Sequence, residues 1–348
     1  MIGQSFAGKR VLVTGHTGFK GSWLSLWLAR SGARVVGYAL EPRTERDHFV
    51  TAGIGERMAE SVIGDVRDAT RLREVVGRHR PEVVFHLAAQ SLVRYSYEHP
   101  AETFETNVVG TANVLDAVRA AGSSLATVVI TSDKCYRNNE WERGYRETDT
   151  LGGRDPYSAS KGAAELLVSC YRDSYFAPAA MALATTRAGN VIGGGDWNTD
   201  RLVPDAIRAF EAGVPLRVRS PESTRPWQHV LEPVGGYLLL ASRMLADPAA
   251  HAMPFNFGPD SSAVCSVGRL CDLAAKAWGG GRWEHVADTG AHEARLLALD
   301  SGRAEQRLGW RPLLSVEESV EWTTSWYRAR FDGGDVAACT LRQITDYE

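Results

Sequence analysis

At 348 residues the chain exceeds the needs of one ordinary hydrophobic core, so one large or two coupled domains are expected, without covalent staples. A net charge of −3 and a pI of about 6.3 leave no field to attract nucleic acid or an anionic membrane, so any basic site must be local. Five widely spaced cysteines (Cys135, Cys170, Cys265, Cys271, Cys339) form no Cys-x-x-Cys pair, Met1–Lys9 lacks an apolar leader, and apolar runs such as Val83–Ala89 are too short to span a bilayer. The expectation is a cytoplasmic protein with no membrane partner, no nucleic-acid partner and no metal.

In chain order, Arg10-Val11-Leu12-Val13-Thr14 reads as a buried strand running into Gly15-His16-Thr17-Gly18-Phe19-Lys20-Gly21. Trp23, Leu24, Trp27 and Leu28 then recur at helical spacing. Strand, glycine turn and helix let a pyrophosphate rest on the helix N-terminus, so Gly15, Thr17, Gly18, Phe19, Lys20 and Gly21 are candidate dinucleotide contacts. A second strand, Arg34–Leu40, ends in Ala39 where an acidic residue would read the ribose of NAD; Glu41 and Arg43 follow, so NAD and NADP both stay open. Asp65, after the strand around Val62-Ile63, either holds an adenine amino group, with Val66 beside it, or caps a helix. The strand Glu82–Gln90 ends in the small residues Ala88 and Ala89, so Leu87, Ala88, Ala89 and Gln90 are expected along the cofactor; Asn107 opens a helical pattern beside it. His86, inside an apolar strand, reads as structural. Strands alternating with helices as far as Thr186 predict a parallel sheet wound on both faces, with ligands at the carboxyl ends of its strands.

The chemistry concentrates between Thr131 and Lys161. The apolar run Leu125–Ile130 delivers Ser132, Asp133 and Lys134 to that same strand end, and Tyr157 and Lys161, four apart, share one face of the next helix. A cationic lysine beside a phenol would lower its pKa from about 10 and make Tyr157 a base for an alcohol proton. Later, Arg217, Arg219 and Arg225 form a local cationic group suited to a diphosphate, with solvated surface as the alternative for the first two.

Through Thr14-Gly15-x-x-Gly18-x-x-Gly21, His86-Leu87-Ala88-Ala89 and Tyr157-x-x-x-Lys161 the chain resembles the extended short-chain dehydrogenase/reductases. Within them it is similar to the nucleotide-sugar 4,6-dehydratases, and to their CDP-glucose group, on Gly15–Trp23, Thr131–Tyr136, Gly189–Trp197 and Thr224–Val230. The resemblance implies a Rossmann-type doubly wound α/β fold, with about 1–188 plus 229–257 holding NAD and a smaller α/β part, about 189–228 plus 258–348, holding the nucleotide sugar. It also implies that Arg187 and Asn190 contact that sugar, that Arg225 grips its pyrophosphate and that the stretch from Leu202 frames the base. His292 is carried with them, though nothing in its surroundings assigns it a role. A homodimer is implied as well, through the helix bearing Ala163, Leu166, Leu167 and Cys170, unless that stripe is ordinary core.

The implied scheme solves a chemical problem. A sugar C5 hydrogen is not acidic until C4 becomes a ketone. Tyr157 takes the C4 hydroxyl proton as hydride leaves for NAD, Lys161 holds the ribose, and Ser132 bonds the C4 oxygen. Water is then lost across C5 and C6, and the hydride returns to C6. Asp133, if protonated, is the expected acid, and Lys134, if neutral through burial or a neighbouring cation, the expected base; an ion pair of Lys134 with Asp133 or Glu105 is the bland alternative. The rival readings are a 4-epimerase, a dehydratase for another nucleotide glucose, and a silent binding protein on the same fold.

Overall fold

The computed structural model describes residues 2–260, 264–287 and 296–348. Seven parallel strands form the central sheet: β1 (Arg10–Thr14), β2 (Arg34–Ala39), β3 (Glu60–Ile63), β4 (Val83–His86), β5 (Ala126–Ile130), β6 (Ala182–Arg187) and, much later, Phe255–Asn256. β7 (Val191–Ile192), β8 (Leu216–Val218), β9 (Thr224–Pro226) and β10 (Gln228–His229) precede that last member, β11, and the spatial order is β11-β6-β5-β4-β1-β2-β3. β1 lies between β2 and β4, pairing Thr14 with both Tyr38 and His86. The order reverses beside β1, and there the crevice of a doubly wound sheet opens.

The strands are apolar throughout because both faces are covered. Alternation along β1 sends Val11 and Val13 to one side, against helices Phe19–Arg30 and Leu231–Ala246, and Leu12 to the other, against Ala69–His79 and Gly110–Ala121. Each large side chain buried this way contributes about 1.5–3 kcal/mol. Outside the sheet, β10 pairs with β7, β9 with β12 (Val264–Ser266) and β8 with β13 (Trp283–His285). The last helix, Val336–Tyr347, packs back toward the first: Trp27 Nε1 donates to the Glu348 carboxylate at 2.9 Å, and Arg30 pairs with it at 2.5 Å.

Two local expectations change. Asp68, not Asp65, caps helix Ala69–His79, accepting the Arg71 amide at 2.9 Å. Asn107 does not open a helix but sits in a π-helical turn, Glu105–Val109, between two α-helical stretches. His86 is structural, its ring nitrogens 2.7 and 3.0 Å from the Thr14 and Thr111 hydroxyls. Among the described residues no helix is long and apolar enough to cross a membrane, and all five cysteines are unpaired.

Candidate active site

The glycine turn is shaped for a close backbone approach. Gly15 has φ +76, and a Cβ there would lie 2.7 Å from the Ala88 amide nitrogen, so the turn seats directly on the Leu87-Ala88 segment leaving β4. Thr17 ties it to the end of β2, its hydroxyl donating to the Leu40 carbonyl at 2.8 Å. Helix Phe19–Arg30 follows with no acidic residue in its first turn, so its positive end faces the crevice unneutralised. Small residues below and bare amides above fit a dinucleotide.

Asp65 is held by Arg67 through contacts of 2.9, 2.9 and 2.6 Å; burial pushes its carboxyl up, but the Arg67 bonds outweigh that and leave it below the usual range. Val66 is core, packed in the second apolar cluster. Asn107, expected beside the cofactor, is hydrogen-bonded to the Leu87–Gln90 tail itself. Its amide accepts from Gln90 N at 2.9 Å and donates to Gln90 O at 3.0 Å and to Ser160 at 2.8 Å, which leaves it fully committed and buried.

The reactive groups do converge. Ser132 caps the short turn Asp133–Cys135 that leaves β5, and its hydroxyl donates to Asp133 at 2.9 Å. Asp133 is 5% exposed and lies on Gly189, where any Cβ would collide with the carboxylate. Helix Pro156–Tyr171 starts cleanly because Asp155 accepts the Ser158 amide at 2.9 Å and Pro156 needs no donor. Its second residue, Tyr157, is anchored by its amide to Ser96 at 3.1 Å, and Lys161 donates to the Ile130 carbonyl at 3.4 Å.

The electrostatics depart from expectation at two places. Tyr157 is pushed up to about 12 by burial, which the Ser132 hydrogen bond and the charge of Arg201 oppose. Lys161 itself is pulled down to about 8, because burial outweighs the support of Glu165 and Cys135. Lys134 is exposed, so the protein alone does not desolvate it, and among the described residues it makes no ion pair with Asp133 or Glu105. Lys20 belongs to the same group: burial and the charge of Arg201 pull it down to about 8, while Asp133 pulls the other way.

On the sugar side the placements divide. Arg187, expected at the sugar, is 2% exposed, pairs with Glu165 at 2.7 Å and donates to the Tyr136 hydroxyl at 2.6 Å. Asn190 takes a left-handed backbone, φ 51, and its carbonyl accepts from Gln228 N at 3.2 Å. Leu202 opens helix Leu202–Glu211. Arg217 and Arg219 are exposed on and after β8, whereas Arg225 is half-buried on β9, so the three fall in two separate ladders. His292 lies outside the described residues. Sequence reasoning passed over Arg201, which donates to the buried Asp196 at 3.0 Å and whose charge opposes the effect of burial on Tyr157.

Residues 12–323 match the family model described as GDP-mannose 4,6 dehydratase. The chain belongs to that family. A relative named CDP-glucose 4,6-dehydratase, from Salmonella typhimurium, is 48% identical over 100% of this chain and 98% of its own. Among solved structures, a dTDP-glucose 4,6-dehydratase of Streptomyces venezuelae with NAD bound superposes with a TM-score of 0.79 at 25% identity, covering 94% of this chain and 99% of that one. A UDP-glucose 4-epimerase of Stenotrophomonas maltophila, also with NAD, gives 0.80 at 23%, covering 94% and 100%, a likeness of fold alone. These likenesses extend over nearly the whole fold described above.

Proposed function

We propose that the chain is an NAD-dependent CDP-glucose 4,6-dehydratase, a hydro-lyase that yields the 4-keto-6-deoxy sugar nucleotide. The observation that carries this is the juxtaposition of Asp133-Lys134 with Tyr157 and Lys161, supported by 48% identity to a full-length relative of that name. An epimerase needs only the second pair.

NAD, when bound on the Gly15–Gly21 turn and the Leu87–Gln90 tail, supplies a reversible hydride acceptor. Tyr157 takes the proton of the C4 hydroxyl, and Ser132 orients that oxygen. Asp133, buried against Gly189, is the acid for the departing C6 hydroxyl. Lys134 takes the C5 proton once the sugar has covered it. Asn190, the start of helix Leu202–Glu211 and Arg225 line the nucleotide side, and the boundary between cofactor and sugar portions falls near residues 188, 229 and 257.

The test is incubation with CDP-, dTDP-, UDP- and GDP-glucose without reductant, followed by mass spectrometry. Loss of one water from CDP-glucose alone supports the reading; a mass-neutral change to the galactose isomer, or no change with NAD added, overturns it.

We further propose a cytoplasmic homodimer. Phe104, Val109 and Leu166 are 37, 51 and 62% exposed on the paired helical stretches 100–121 and 156–171, with Cys170 also exposed, and a second copy would cover them. Light scattering showing a monomer at micromolar concentration would remove this.

A further inference from the structure

Glu165 is a buried carboxylate that none of the steps above uses. It lies one turn beyond Lys161 and two beyond Tyr157, on the same stripe of helix Pro156–Tyr171, and is 3% exposed. Both its oxygens are occupied: one accepts the Thr131 hydroxyl at 2.5 Å, the other the Thr185 hydroxyl at 2.8 Å and Arg187 at 2.7 Å. Two of these bonds lead back to the catalytic turn. Thr131 immediately precedes Ser132, and Arg187 reaches Tyr136, two residues past Lys134, by a 2.6 Å hydrogen bond and by stacking 4.8 Å over its ring. Tyr136 is held from the far side by Asn256 at 2.8 Å. A buried ion pair is a poor way to add stability, since well-packed apolar groups do as well or better. Its placement here suggests another role.

We propose that Glu165 is a positioning residue for the reaction: with Arg187 it clamps both ends of the Ser132-Asp133-Lys134 turn to the Tyr157–Lys161 helix, and it supplies the negative charge that Lys161 faces. The inference rests on the dehydratase reading for what the clamped groups do, but not for the clamp. Around Lys161 the charged and titratable groups are Glu165 on its own helix, Cys135 on the catalytic turn, Lys20 on the glycine turn and His86 on β4. Around Glu165 they are Arg187 on β6, Arg172 at its helix end and Cys135. Burial pushes the Glu165 carboxyl up, but Arg187 and the two hydroxyls outweigh it, so the group stays anionic. Lys161 is the cation that this charge supports.

The sign follows. Without the carboxylate, Lys161 loses its proton at lower pH, and the alkaline limb of turnover moves acidward. The variants are Glu165→Gln, which keeps the shape, and the double variant Glu165→Gln/Arg187→Met, which also removes the guanidinium that the single variant would leave without its partner. With five lysines in the chain, [13C]lysine-labelled protein resolves Lys161, assigned by its absence in Lys161→Arg. The Lys161 midpoint is expected to fall by about one pH unit or more in either folded variant, with the alkaline limb of kcat following and KM for the sugar little changed. Glu165→Asp is expected to restore the midpoint but not full kcat, since its shorter arm loses Thr131. A wild-type midpoint in a folded charge-free variant overturns the proposal. The titration needs no substrate, so it decides the role of Glu165 even if no nucleotide glucose loses water.

Discussion

Arg201 donates to Asp196 at 3.0 Å and carries its charge close enough to Tyr157 to oppose the effect of burial on the phenol. The cation that sequence pattern assigned to this task was Lys161, one helical turn away. Arg201 comes from forty-four residues downstream, at the mouth of helix Leu202–Glu211, and its guanidinium keeps its charge at any accessible pH.

Replacing Arg201 by Gln should therefore raise Tyr157 further above about 12 and reduce the phenolate available at neutral pH. Every pH unit by which the phenol rises removes about nine-tenths of that phenolate, and turnover should fall about tenfold with it. The acid limb of the kcat profile is expected to move alkaline, with Arg201→Lys recovering part of the loss. An unchanged profile in folded Arg201→Gln would show that Tyr157 is tuned by something else.

Lys134→Met should separate the halves of the reaction. Oxidation at C4 does not use Lys134, whereas C5 deprotonation should slow by about 10²-fold or more. Exchange of the C5 hydrogen with solvent deuterium is the readout, and exchange at the wild-type rate would rule Lys134 out as the base.

Acid should weaken the fold through four buried histidines. His16 is lowered to about 4, and His48, His86 and His229 to about 3, all by burial. Above about 6.5 both folded and unfolded forms are neutral and nothing is lost; below it the unfolded chain takes up protons that the folded one refuses. Stability should fall across the window from about 6.5 down to the folded values, by about 1.4 kcal/mol per histidine per pH unit. Urea midpoints at pH 7.5 and 5.5 test this, and equal midpoints would contradict it.

Gly15→Ala should lose the cofactor. The added methyl meets the Ala88 backbone at 2.7 Å, and φ +76 adds about 1–2 kcal/mol of strain. Calorimetric titration with NAD should show at least about tenfold weaker binding, together with a lower Tm. Wild-type affinity would mean that the turn moves aside without harm.

Much of this site was legible in the chain because its signals are local. A strand followed by Gly15-x-x-Gly18-x-x-Gly21, and Tyr157 four residues before Lys161, are short-range patterns whose geometry is set by the strand and helix periods themselves. Asn107 and Arg187 are less legible for the opposite reason. A polar residue in a functional motif looks the same whether it faces a ligand or a neighbour, and only the contacts with Gln90 and Ser160, and with Glu165 and Tyr136, show where its hydrogen bonds go.

The class of sheet, the dinucleotide turn and the set of reactive side chains are written in the chain, since each depends on residues within about a turn or a strand of one another. Their surroundings come from the folded chain: the burial that raises Tyr157, the exposure of Lys134, the charge of Arg201 and the pairing of Arg187 with Glu165. Desolvation and Coulomb interaction depend on what surrounds a group in space, and those surroundings are assembled from segments far apart in the chain.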